Sequence, residues 1–269
     1  MELFQQIILG IIQGITEWIP ISSEGFLLFV TSNFFGEIEL DLFLRQALFL
    51  HLGTFFAALV YFRKEIKGLM KGAMNYSNSD LETKRTLRFL IIATLISGVV
   101  GLAILNLLDL INIQELPFTS ASINFLIGFF LILTGIFQIK ARSAGYRKEY
   151  HLKDKDSFII GVAQGVAAIP GLSRSGLTVS SFLFRGFDET TALRLSFIMS
   201  LPIILIANLI LNLHDLVFLK GMVFGFLFSF IFGLGTIHLL MMFSRRVRFG
   251  HFVITFGVLA IVAGIVNIL

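Results

Sequence analysis

Two long apolar stretches of this chain are each cut near the middle by a run of helix-breaking and polar residues, and this interruption constrains the fold more than any other feature. The first stretch, Leu3–Phe35, is broken at Pro20-Ile21-Ser22-Ser23-Glu24-Gly25. The second, Ser157–Phe187, is broken at Pro170-Gly171-Leu172-Ser173-Arg174-Ser175-Gly176. Proline cannot continue a helix and removes a backbone donor. The intact parts are then about 12 to 16 residues long, whereas crossing a hydrocarbon core takes about 20. Such lengths fit a re-entrant helical hairpin, whose irregular tip is tolerated inside a membrane only where protein surrounds it.

The rest of the chain reads as membrane-spanning. Hydrophobic residues make up 56% and charged residues 14%, with a mean hydropathy of +0.90; a soluble domain carries about 25% charged residues. The formal charge of +4 does not indicate nucleic acid, because the basic residues sit in short loops between apolar runs. There is no cysteine, which excludes disulfides. The first basic residue is Arg45, so the N-terminal stretch lacks the basic region of a secretory signal and is expected to be retained. Six runs are long enough to span: Phe43–Phe62, Leu87–Asn106, Ser120–Ile139, Thr191–Asn212, Phe218–Phe243 and Phe252–Leu269.

The loop charges test this division. One cluster, Arg63, Lys64, Lys67, Lys71, Lys84, Arg85 and Arg88, follows the first span. Another, Lys140, Arg142, Arg147, Lys148, Lys153 and Lys155, follows the third, and Arg245, Arg246 and Arg248 follow the fifth. If both broken stretches return to their own side, all three clusters share one face, which the positive-inside rule makes cytoplasmic and which puts the N-terminus outside. Counting either stretch as a full span would put basic loops on both faces.

The halves also resemble each other. Ile8-Leu9-Gly10-Ile11-Ile12-Gln13-Gly14-Ile15 aligns with Ile159-Ile160-Gly161-Val162-Ala163-Gln164-Gly165-Val166, and Ser22 to Gly25 aligns with Ser173 to Gly176. Three spans follow each copy, so the second copy is expected upside down relative to the first. The reading is an all-α polytopic membrane protein in one membrane domain, residues 1–269, with six transmembrane helices and two re-entrant hairpins. Its inverted repeats cover approximately 1–140 and 157–269, joined by the basic loop 140–156. Inverted repeats with discontinuous helices form binding sites near the membrane midplane.

At each break, Ser22 with Ser23 and Ser173 with Ser175 are suited to cap a second half-helix. Its free N–H groups then form an anion site within the membrane. Gly25, Gly171 and Gly176 permit close backbone approach, and Arg174 adds a guanidinium suited to bidentate phosphate contact. An intramembrane Arg calls for a counter-charge, and Glu17 and Glu24 are available. Glu17 lies one helical turn beyond Gln13 on the same face. A buried carboxylate there is suited to general-base work or to holding a hard divalent cation; a plain Arg174–Glu17 ion pair locking the halves together is the alternative. The second break is no nucleotide P-loop, since it has no Lys and follows no strand. An anion site of backbone, hydroxyls and one Arg in so apolar a chain suits a phosphate or diphosphate carried on a lipid.

Gln13, Glu17, Pro20, Ser22 and Ser23 together resemble the (E/Q)xxxE-x-x-P-x-S-S motif of the bacterial undecaprenyl-diphosphatase, or bacitracin-resistance, family. Pro170 to Thr178 resembles that family's PGxSRSxxT motif, and His51-Leu-Gly53-Thr54 looks like a further family segment. The resemblance implies removal of the terminal phosphate from undecaprenyl diphosphate in the cell membrane, recycling the carrier lipid for cell-wall and surface-glycan synthesis. It implies Glu17, Ser23 and Arg174 as essential residues, with Gln13, Ser22, Gly25, Gly171, Ser173, Ser175, Gly176 and Thr178 lining the substrate site. It also implies a divalent cation, Mg2+ or Ca2+, for which Glu17 and Glu24 are the candidate ligands. The expected partners are the polyprenyl diphosphate and the bilayer, with a homodimer as a candidate assembly and no nucleic acid. The chain departs from the pattern at two places: Glu24 stands where the family usually has Ser or Thr, and Phe26 where it usually has His. Glu24 and His51, the latter near the middle of the first span, are the residues able to take over. The rival reading is a lipid-phosphate transporter or flippase without hydrolysis.

Overall fold

The computed structural model describes residues 2–36, 40–110, 120–141, 145–169, 171–211, 222–244 and 249–267. Pro170, one of the two expected helix breakers, lies outside them. Among the described residues the chain is all-helical. The first broken stretch forms α1 (Leu3–Thr16) and α2 (Ser23–Val30), which runs on through a π-helical turn, Thr31–Phe35. Then come α3 (Leu40–Tyr61), α4 (Arg63–Met74), α5 (Leu81–Leu110) and α6 (Ser120–Lys140). The second broken stretch forms α7 (Asp154–Val166) and α8 (Arg174–Phe184), followed by α9 (Glu189–Leu211), α10 (Val223–Phe243) and α11 (Phe249–Val266).

Among the described residues five helices, α3, α5, α6, α9 and α10, are long and apolar enough to cross a membrane, so the protein is polytopic. The expected sixth span, Phe252–Leu269, is the shorter apolar helix α11; residues 268 and 269 lie outside the described set. Two elements differ from the sequence reading. α5 begins at Leu81, because Asp80 accepts a hydrogen bond from Thr83 N at 2.8 Å and starts the helix ahead of its apolar run. The basic segment after α3, read as a loop, is the helix α4, in which Ile66, Leu69 and Gly72 recur at helical spacing along its packed side.

The hairpin arms pack across the two halves of the chain. α1 lies along α10, where a Cβ at Gly10 would come 2.5 Å from Gly225 O and one at Gly14 2.7 Å from Gly233 N, so the two helices run parallel. α7 lies along α5, also parallel, with Gly161 against Ala93 and Gly165 against Ser97. α6 and α11 run antiparallel: Cβ atoms at Gly128 and Gly135 would meet Gly257 O at 2.6 Å and Gly250 O at 2.8 Å. Small residues at these seams allow the backbone contact on which helix association in lipid depends. The main core gathers Trp18, fully buried against Phe197 at 4.8 Å, with Phe182, Phe187 and Ile237.

Each hairpin is fastened at its base. For the second, the fully buried Asp156 accepts from Arg147 Nη2 at 2.6 Å, Arg185 Nε at 2.7 Å and Lys153 N at 3.0 Å. Arg147 reaches on to Arg185 O and His151 O, tying the linker to both ends of the hairpin. The first hairpin ends in a neutral clasp: Asn33 exchanges hydrogen bonds with Asn124 at 3.2 Å and accepts from Asn267 at 3.0 Å.

Candidate functional site

The two hairpin tips meet, and the meeting point is one carboxylate. Glu17 closes α1 as its C-terminal cap residue and is 4% exposed. Its Oε2 accepts from Gln13 Nε2 at 3.0 Å and from Ser23 Oγ at 2.6 Å, and lies 3.0 Å from His51 Nε2. Its Oε1 is held by Arg174 Nη2 from the other hairpin. Gln13 and Glu17 share a face because they are one turn apart, Ser23 is the first residue of α2, and Arg174 is the first residue of α8.

The helix starts explain how these two residues reach the same atom group. Ser22 caps α2, its Oγ accepting from Gly25 N at 3.3 Å, and Ser173 caps α8 in the same way, accepting from Gly176 N at 3.0 Å. A cap uses up one orphan donor and fixes the direction in which the next residue leaves. Ser22 does so from a left-handed conformation, φ 67°, the one such non-glycine among the described residues. Gly171 enters the second tip at φ 92°, a conformation natural to glycine. Gly176 allows α8 to lie against α6, since a Cβ there would come 2.6 Å from Thr134 Cγ2; Gly25 leaves room for the Ser22 cap beside Ile127. Ser175 Oγ donates to Ile19 O at 3.3 Å, holding one irregular carbonyl of the first tip from the second.

The residues expected at the site therefore do not all play the same part. Gln13, Glu17, Ser23, His51 and Arg174 converge. Ser22, Ser173, Ser175, Gly25, Gly171 and Gly176 shape and join the tips, and Thr178 lies one turn deeper, with Oγ1 2.6 Å from Ser196 Oγ of α9. Glu24 is half-buried and close enough to interact electrostatically with His51, Glu17 and Arg174.

The imidazole of the site comes from α3. His51 Nδ1 lies 2.7 Å from Ala47 O, which can only accept, so Nδ1 carries a hydrogen and Nε2 faces the carboxylate. One hydrogen must then lie between Nε2 and Glu17 Oε2. Phe26 is directed elsewhere: its ring packs on Phe256 of α11 at 4.5 Å, in the cluster with Ile127 and Val253.

Arg174 Nη1 and Gln13 Oε1 are among the buried polar atoms at the site that lack protein partners. A buried donor or acceptor without a partner is unfavourable by about 1–3 kcal/mol, so both are poised for a ligand that fills the gap. Gln138 of α6 was not among the residues singled out from sequence. It donates to Pro20 O at 2.5 Å and so holds the second irregular carbonyl of the first tip. A polar amide near the end of the apolar run Ser120–Ile139 was the available signal.

The sequence is similar to known proteins over most of its length. The profile of the family described as "Bacitracin resistance protein BacA" matches residues 6–266. The chain is 41% identical to an undecaprenyl-diphosphatase of Methanococcoides burtonii over 266 residues, covering 97% of this chain and 98% of the relative. It is 36% identical to an undecaprenyl-diphosphatase of Syntrophotalea carbinolica, covering 94% and 95%, and 34% identical to one of Haloarcula marismortui, covering 96% of each.

Proposed function

The chain belongs to the BacA family of bacitracin resistance proteins, and from that premise we propose that it is a membrane phosphatase that converts undecaprenyl diphosphate to the monophosphate at the meeting point of its two hairpins. The observation that carries the site is Glu17, held from one hairpin by Ser23 and from the other by Arg174, whose Nη1 is left without a partner. The names of the relatives give the rival transport reading no support.

In this reading the diphosphate lies between the starts of α2 and α8. The N–H groups of their first turns point at it with the positive ends of the helices. Arg174 Nη1 takes a phosphate oxygen and stabilises charge that develops on it in the transition state. Ser23 Oγ attacks the terminal phosphorus and gives its proton to Glu17, which the 2.6 Å contact between them supports. The bridging P–O bond breaks, undecaprenyl monophosphate leaves, and water then cleaves the phosphoserine to release orthophosphate. His51, 3.0 Å from Glu17 Oε2, helps to hold the carboxylate and serves where the family's usual His is replaced by Phe26.

The cation implied by the family resemblance needs a donor set with free lone pairs. Glu17 Oε2 is crowded by Gln13, Ser23 and His51, its Oε1 faces the Arg174 guanidinium, and among the described residues no three His, Asp or Glu side chains are grouped to hold a metal ion. These contacts support a site in which Glu17 and Glu24 would not hold a resident cation by themselves. A divalent cation that accompanied the lipid would take its remaining ligands from the diphosphate and would offset its charge.

The antiparallel α6 and α11, together with the exchange of α1 and α7 between halves, support inverted repeats over 1–140 and 157–269. The linker 140–156 and the other basic loops then face the cytoplasm, with the N-terminus outside. The function is tested by orthophosphate release from undecaprenyl diphosphate by purified protein in detergent, with Ser23→Ala as the control. Release by the wild type and its loss in the variant are expected. No release by well-folded wild type would refute the enzyme reading, and undiminished release by Ser23→Ala would refute the nucleophile.

A further inference from the structure

Helix α4 departs from α3 at Phe62, one residue past Tyr61, where the candidate span Leu42–Tyr61 ends. Its first turn therefore starts at the membrane boundary. The inner side packs on the protein: Gly72 is buried against α5, where a Cβ would meet Leu87 Cδ1 at 3.5 Å, and Glu65 lies 3.5 Å from Arg194 of α9. The outer side is different. Met70 is 63% exposed and Met74 is 88% exposed, one turn apart. At about 100° per residue, Arg63, Lys64, Lys67 and Lys71 fall on the arc that continues from these methionines, and all four are exposed.

Neighbouring cations in the same region are engaged: Arg88 pairs with Asp154 at 2.6 Å, and Lys84 donates to Ser77 O at 2.9 Å. Among the described residues no carboxylate pairs with Lys64, Lys67 or Lys71. Two bare methionines beside a row of uncompensated lysines, on a helix that begins where a span ends, form the pattern of an interfacial helix. We propose that α4 docks on a layer of anionic phospholipid, with Met70 and Met74 entering the acyl boundary and Lys64, Lys67 and Lys71 meeting the phosphates. The lysines supply attraction that falls with salt, and the methionines supply apolar burial that does not. The proposal is independent of the catalytic site, which α4 does not line.

The chain has no cysteine, so a single label can be placed without background. Met70→Cys and Met74→Cys carry an environment-sensitive fluorophore in full-length protein reconstituted into phosphatidylcholine vesicles with or without phosphatidylglycerol. Expected is quenching by an acyl-chain nitroxide lipid and protection from aqueous iodide, both stronger with phosphatidylglycerol. Adding Lys64→Gln, Lys67→Gln and Lys71→Gln should shift the labels toward iodide severalfold, and high salt should do the same to the parent. A circular dichroism spectrum and a monodisperse elution profile establish that each variant is folded. Labels equally open to iodide in every lipid would overturn the proposal. So would protection from both quenchers, as a second protein copy covering α4 would give, or folded lysine variants that leave the quenching unchanged.

Discussion

The two hairpins are built by the same local rule and carry opposite chemistry. In each, a serine caps the second half-helix through the N–H three residues on, Ser22 to Gly25 and Ser173 to Gly176. The residue after the cap is where they part: it is Ser23 in the first and Arg174 in the second. The arm before the tip differs too. Glu17 ends α1, while the corresponding stretch after α7 holds Ala167 and Ala168. Even the repeated glutamines diverge, Gln13 donating to Glu17 and Gln164 donating to Ser97 of α5. The two related tips thus differ as an acidic tip and a basic tip, and because each residue set is incomplete alone, the proposed reaction needs the pair as one site.

The strongest way to break this comparison is to remove the charge that each tip contributes. Glu17→Gln and Arg174→Lys should each lower kcat/KM by about a thousandfold, since neither keeps both the carboxylate and the planar guanidinium. Phosphate release under subsaturating lipid measures it, and a loss of less than tenfold in either variant would separate that tip from the chemistry.

The bases of the hairpins should differ as their tips do. Asp156→Asn leaves Arg147 and Arg185 without their buried counter-charge and should destabilise the fold by about 3–5 kcal/mol. Asn33→Ala, at the neutral clasp of the first hairpin, should remove only about 1 kcal/mol. Thermal unfolding in detergent compares them, and equal shifts would mean that the charged clasp is no stronger than the neutral one.

The imidazole gives a finer test. His51→Gln should lower kcat by about a hundredfold, whereas Phe26→Leu, altered only in its packing on Phe256, should stay within about threefold of the wild type. A larger loss in Phe26→Leu than in His51→Gln would return the catalytic role to the motif position.

The smallest difference lies in the caps. Ser173→Ala should remove about 1 kcal/mol, the usual value of an N-cap. Ser22→Ala should remove about 2 kcal/mol, because alanine also resists the left-handed conformation at φ 67°. Ser22→Gly relieves that strain and should fall within a few tenths of a kcal/mol of the wild type.

Much of this was legible in the sequence because it is local. The breaks announce themselves by proline, glycine and serine against an apolar background, and spacing alone puts Gln13 and Glu17 on one face. That Arg174 answers Glu17 could be argued from charge, since each needs a counter-ion in the membrane. What was not legible depends on contacts between distant segments. Gln138 reaches Pro20 across the whole first half, and no periodicity records that. Asp156 looked like one charge in a basic linker, yet it is fully buried between Arg147 and Arg185. The helical spacing of Ile66, Leu69 and Gly72 in α4 was present in the sequence but was obscured by the lysines between them. Phe26 shows the limit of motif reading: the position departs from the family pattern, its side chain packs on α11, and the imidazole beside Glu17 belongs to another helix.

The central claim is that the acidic and basic tips act as one unit, and a double-mutant cycle on phosphate release tests it most directly. Glu17→Gln, Arg174→Lys and the double variant are compared by kcat/KM, with unfolding temperature recorded for each. Residues that act as a unit are non-additive, so the double variant should be no worse than the weaker single variant by more than about threefold. Losses that multiply, in protein that remains folded, would contradict the claim and leave two hairpins that touch without sharing a reaction.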